Sequence, residues 1–233
     1  LILQRWTDKM ENIKLPDKLS ILVVEDTPKH INDVRMEFEN RISRGTSLDV
    51  KYVTNLLDAL YSFQSADGII SDVFYPIGNA SPDSNLENFL ASFPRDNGIE
   101  ASGVSLAEHT EKKGIPIVLC TDAHHHRASI TQVYHFANKK GIFFIPNWMR
   151  EHNDVIEKKH WASAYGRLVN TMARKFAGFP YTFTPYLWNF DLKRPVVSPE
   201  MKEKHNAFVR KFSLDEDFKI SRYEPERAYL EEI

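Results

Sequence analysis

Three apolar runs in this chain each stop at an acid, and that pattern constrains the fold more tightly than any other. Ser20 to Val24 leads into Glu25-Asp26, the run GIISDVFYP carries Asp72 after its apolar half, and Pro116 to Leu119 leads through Cys120 into Thr121-Asp122. Runs that are apolar without alternation read as strands covered on both faces, the kind found in parallel sheets flanked by helices. In such sheets the carboxyl ends of the strands open onto one crevice, where ligands bind. The three acidic strand ends are therefore expected at one edge.

The segments between these runs support an alternating β-α order. Thr27-Pro28 has the signature of a helix start, with Thr as N-cap and Pro at the first helical position. Ile31, Val34, Phe38 and Ile42 follow at helical spacing and are expected to face inward. DVKYV (49–53) alternates as a short strand, Leu56, Leu57, Leu60 and Phe63 mark a second helix, and Asp67-Gly68 turns into the strand at Ile69 and Ile70. Residues 77–102 are rich in Gly, Asn, Ser, Pro and Asp, and read as an insertion; within it, Ser84-Asn85-Leu86-Glu87 matches a capping box before one short helix. Order resumes with a helix from about Val104 to Lys113, the strand ending at Leu119, a helix over about 127–139, and the strand GIFFIP. Five such units imply a doubly wound parallel α/β sheet.

Beyond this comes a stripe of Trp161, Tyr165, Leu168, Val169, Met172 and Phe176, which predicts one long helix over about 153–177. FAGFPYTFTPYLWNF (176–190) then holds seven aromatic residues, which are expected to pack back on the sheet unit or to close a homodimer or other protein contact. Residues 199–212 fit one more amphipathic helix, and the end from Leu214 reads as a charged arm. The expected organisation is a polar lead over 1–18, a sheet unit over 19–160 with the 77–102 insertion, and an extension over 161–233.

Composition narrows the function. Residues 1–150 carry 16 Lys and Arg against 19 Asp and Glu, and residues 151–233 carry 14 against 13, so neither half has the basic excess of a nucleic-acid binder. No apolar stretch approaches a membrane span, no secretion signal is apparent, and a single cysteine, Cys120, suits a reducing, cytoplasmic setting.

Chemically, Glu25, Asp26 and Asp72 offer the hard oxygen ligands that Mg²⁺ takes. Beside a bound cation the Asp72 carboxylate is able to attack a phosphoryl group, with the Thr121 hydroxyl meeting a phosphate oxygen. Taken singly, Glu25-Asp26 also fits an acidic helix N-terminus and Asp72 a turn residue; the convergence of all three favours the site.

In order and spacing, ILVVEDTPKH, GIISDVFYP and GVSLAEHTEKKGIPIVLCT resemble the receiver domain of two-component response regulators over about residues 20–160. The resemblance implies a flavodoxin-like sheet of order 2-1-3-4-5. It implies Asp72 as phosphoacceptor, with Glu25, Asp26, Asp72 and the backbone carbonyl of Phe74 holding Mg²⁺, and Thr121 as the hydroxyl that senses phosphorylation. It also implies a histidine kinase or phosphotransfer protein as donor and an output through protein contacts.

The chain departs from the family at three places. The fifth strand ends in Ile145-Pro146 where the family has Lys-Pro, the family's aromatic switch position falls on Ile142, and Asp122 replaces a small residue. Losing a cation and gaining an acid both disfavour a phosphoryl dianion. A degenerate receiver acting as an interaction or dimerisation module is thus a second reading, and a Mg²⁺-dependent phosphotransfer or nuclease-like enzyme a third. His124-His125-His126 reads as a polar helix start, with metal binding or replacement of the missing lysine as alternatives.

Overall fold

The computed structural model describes residues 13–79, 84–93, 95–96, 98–124, 128–147, 150–151, 154–155, 160–179 and 198–214. Five strands, β1 (Leu19–Val24), β2 (Leu48–Val53), β3 (Gly68–Ser71), β4 (Ile117–His124) and β5 (Phe143–Asn147), form one sheet in the order β2-β1-β3-β4-β5. Every pairing in it is parallel. The fold is the expected doubly wound, flavodoxin-like arrangement. The other described elements are helices α1 (Pro28–Ser43), α2 (Leu56–Ser62), α3 (Ser84–Ala91), α4 (Ser102–Lys113), α5 (Ala128–Lys140), α6 (Trp161–Ala177) and α7 (Pro199–Phe212), a short 3₁₀ helix (Phe63–Ser65) and a two-stranded antiparallel pair, β6 (Arg150–Glu151) and β7 (Asp154–Val155).

Because successive strand residues point to opposite faces, the sheet divides its apolar side chains between two cores. Ile21, Val23, Ile70, Val118, Cys120, Phe143 and Ile145 face one core, closed by Val34 and Phe38 of α1, by α6 and by Phe208 and Phe212 of α7. Leu22, Val24, Ile69, Ile117 and Leu119 face the other, closed by α2, α4 and α5. On the edge strand β2, Asp49 and Lys51 are exposed while Leu48, Val50 and Tyr52 pack on the first core, which accounts for the alternation in its sequence and guards the open edge with charge.

Three sequence expectations are corrected. The last long helix begins at Trp161 rather than near 153, and Asp154–Val155 is a strand paired with Arg150–Glu151. The apolar stripe itself starts at Trp161. The inner face of α1 is rotated: His30, Val34, Phe38 and Arg41 are buried, whereas Ile42 is 47% exposed. Arg41 replaces Ile42 because its charge is paired with Glu37 at 2.6 Å and its guanidinium lies 4.1 Å from the Tyr165 ring centre. Thr27 is the N-cap of α1 but makes no side-chain cap bond; its N–H donates to Glu25 Oε1 at 3.0 Å.

The insertion is tied to the second core. Leu90 of α3 is buried, and Phe93 meets Phe136 of α5 edge-on at 5.6 Å. Helix α7 has the expected bounds. It docks along α6, where the Tyr165 hydroxyl donates to the Phe212 carbonyl at 2.8 Å and Phe176 packs on Phe208 at 5.3 Å. Phe176 and Phe179, the described part of the aromatic run, both pack against α7; residues 180–190, the charged arm from 215 and the lead at 1–12 lie outside the described residues.

Candidate functional site

Strand order places a crevice between β1 and β3. After β1 the chain crosses by α1 to the outer strand β2, and after β3 it leaves toward β4, so the connections diverge and the carboxyl ends of β1 and β3 lie open between them. Glu25-Asp26 and Asp72 are the residues that follow those two ends. The ladder holds them in register: Glu25 N–H donates to Val53 O at 3.0 Å, and Asp72 N–H donates to Val24 O at 2.9 Å. One carboxylate oxygen from each of Glu25, Asp26 and Asp72 lies within 4.8 Å of the others, Glu25 and Asp72 being buried and Asp26 half-buried. This is the group that the sequence expectation named. Thr121 is buried on β4, one residue beyond Cys120, whose partner is Ile145. Between Cys120 and His124 the register with β5 shifts, a local irregularity at the strand end that carries Thr121 and Asp122. Phe74, two residues after Asp72 in the same turn, has its ring buried in the second core. His124 ends β4, in register with Asn147; its side chain, and His125 and His126, lie outside the described residues.

The turn carrying Asp72 is clamped from both sides. Asp72 Oδ1 accepts the Val73 N–H at 2.6 Å. The Ser71 hydroxyl donates to the Asp72 carbonyl at 2.7 Å and lies 3.2 Å from the Tyr75 hydroxyl. Burial, reinforced by the nearby Asp72 and Asp26 charges, holds the Tyr75 phenol far above its ordinary range, so it stays protonated and neutral. From the other side comes the start of α4. The Ser102 hydroxyl donates to Tyr75 O at 2.7 Å and Gly103 N–H to Val73 O at 2.9 Å. The approach is so close that a Cβ on Gly103 would strike the Asp72 carbonyl oxygen and come within 3.0 Å of the Val73 Cα. Glycine is required there by space. Further along, Leu56 N–H of α2 donates to Pro76 O at 3.0 Å.

The sequence reading missed His30. Its imidazole is buried, with Nδ1 3.8 Å from Glu25 Oε1 and Nε2 3.8 Å from Asp122 Oδ2. The available signal was positional: His30 falls in the first turn of α1, at the helical spacing that also selects Val34, Phe38 and Arg41. Polarity concealed it, because an apolar stripe through Ile31 fits the same helix nearly as well.

Three clustered carboxylates, two of them buried, are costly in a low-dielectric setting unless a cation or protons offset them. Their oxygens are hard donors suited to Mg²⁺, Mn²⁺ or Ca²⁺, so the donor set fits the implied divalent cation. Ile145, just before Pro146 on β5, is buried in the first core with Phe143 and Trp161 and contributes no charge. Among the described residues no helix is long and apolar enough to cross a membrane. No protein-family model matches the chain, and the comparison with curated proteins returns no match.

Proposed function

We propose that this chain is a receiver-type signalling domain that takes a phosphoryl group on Asp72 with the help of Mg²⁺. The observation that carries the reading is the convergence of Glu25, Asp26 and Asp72 within 4.8 Å at the ends of β1 and β3. Glu25, Asp26 and Asp72, with the Phe74 carbonyl, would hold the cation, which when bound offsets negative charge on both carboxylate and phosphate. The chain's own part is positional. Asp72 is fixed by the β1–β3 ladder and by Val73 N–H, and its carboxylate attacks phosphorus as the donor's leaving group departs. The Thr121 hydroxyl donates to a phosphoryl oxygen and transmits the modified state to β4. The phosphodonor is a histidine kinase or phosphotransfer protein, and the output is a changed protein contact, including self-association through the C-terminal extension.

A second reading, a receiver-like interaction module that no longer accepts phosphate, is favoured by one observation: the end of β5 presents buried, apolar Ile145 where a cation would aid phosphoryl transfer. Labelling with acetyl phosphate and Mg²⁺ separates the two. Acid-stable, base-labile labelling of the wild type that is lost in Asp72→Asn supports phosphotransfer. No labelling, with cation binding intact, moves the protein to the interaction module.

A further inference from the structure

The imidazole of His30 stands between two carboxylates that belong to different strand ends, Glu25 after β1 and Asp122 within β4. We infer that His30 is a positioning residue of the cation pocket: it holds the Glu25 carboxylate toward Asp26 and Asp72, and it takes up Asp122 so that this additional acid is engaged outside the cluster. The inference rests on the reading of Glu25, Asp26 and Asp72 as a cation site.

Three observations carry it. First, His30 is 4% exposed and on the inner face of α1, packed in one row with Val34 and Phe38, so its ring is fixed by the helix. Second, Glu25 Oε1 already accepts the Thr27 N–H at 3.0 Å, and the same oxygen faces His30 Nδ1 at 3.8 Å. One carboxylate oxygen of Glu25 thus faces α1, and a Glu25 carboxylate oxygen also lies within 4.8 Å of those of Asp26 and Asp72. Third, Asp122 is only partly exposed and its Oδ2 faces the opposite nitrogen of the same ring, at 3.8 Å. An imidazole with a carboxylate at each nitrogen joins α1, β1 and β4 around the crevice. Groups behind the ligands commonly set ligand orientation, and their loss typically weakens metal binding about 10- to 100-fold.

The test measures Mn²⁺ affinity by electron paramagnetic resonance of the free ion, on the full chain and its variants, with circular dichroism to establish folding. His30→Ala is expected to weaken binding about tenfold, and His30→Gln, which keeps a polar side chain of similar reach, to stay within about threefold of wild type. Asp122→Asn is expected to weaken binding about threefold alone and to add nothing in the His30→Ala background, because the acid acts through the ring. Affinity in His30→Ala equal to or tighter than wild type overturns the inference, as do losses that simply add. Should His30→Ala fail to fold, Asp122→Asn decides: wild-type affinity in that variant overturns it. A wild type that binds no Mn²⁺ removes the cation site and this inference together. Binding weakened by Asp72→Asn and unmoved by the His30 and Asp122 variants overturns this inference alone.

Discussion

Strands β3 and β5 approach the same end of the sheet and leave it in opposite chemical states. Beyond β3 the chain presents Asp72, 5% exposed, in a turn clamped by Ser71, Ser102 and Gly103 and facing two further carboxylates. Within β5, Ile145 is 8% exposed and packs into an apolar core under α6. One strand end concentrates charge at the expense of stability. The other adds stability and no charge. The difference teaches that a pocket on this fold is defined by whichever strand ends give up their core contribution, and here β1 and β3 do so while β5 does not.

The comparison breaks first at Asp72. Asp72→Asn is expected to lower Mn²⁺ affinity about 100-fold, a loss of about two decades, and to abolish acetyl phosphate labelling. In cation-free buffer the same variant is expected to be more stable by about 1 kcal/mol, since one of three mutually repelling charges is gone; urea denaturation measures this. A variant that binds cation as well as wild type would end the contrast.

At the end of β5 the expectation reverses. Ile145→Ala should cost about 2–4 kcal/mol in urea denaturation through lost burial and the cavity left behind, while Mn²⁺ affinity stays within twofold of wild type. A large loss of affinity would make β5 part of the pocket.

Gly103→Ala sharpens the comparison by acting on both quantities. The added Cβ meets backbone, so the α4 terminus and the Asp72 turn must separate, at a cost of about 2–3 kcal/mol. Cation affinity should fall with it, because the turn that aims Asp72 moves.

The smallest effect lies far from the crevice, between α6 and α7. Burial, aided by the Arg174 charge and opposed by the Asn206 hydrogen bond, holds the His205 imidazole below its ordinary value near 6.5. The unfolded chain therefore takes up a proton that the fold resists. This contribution to stability is complete above about pH 6.5 and is lost as pH falls from there through the folded-state value. His205→Gln should show a shallower decline in urea midpoint than wild type between pH 7 and pH 5.

Much of the fold was legible because the apolar pattern is local. β1, β3 and β5 are short apolar runs bounded by turn residues, and α4 ends at Gly114, which adopts the left-handed conformation that closes a helix. The acidic cluster was legible for a related reason: an acid that follows an apolar strand is delivered to a sheet edge whatever the loops do. The start of α6 was not legible, because residues 153–160, polar apart from Val155 and Ile156, neither forbid helix nor supply a full apolar face for one. The inward rotation of α1 was hidden because His30 and Arg41 are polar in sequence and are buried only when Glu25, Asp122 and Tyr165 arrive from other elements, with Glu37 of α1 itself pairing Arg41.

By itself the amino-acid order determined the alternation of strands and helices and which residues end the strands, because hydrophobic periodicity and turn chemistry act between neighbours in the chain. Only the tertiary structure decided that Glu25, Asp26 and Asp72 meet within 4.8 Å, that Gly103 is confined by the Asp72 carbonyl, and that His30 stands between Glu25 and Asp122. Those relations depend on strand order and helix rotation, which are set by the packing of two cores against one sheet rather than by any local stretch.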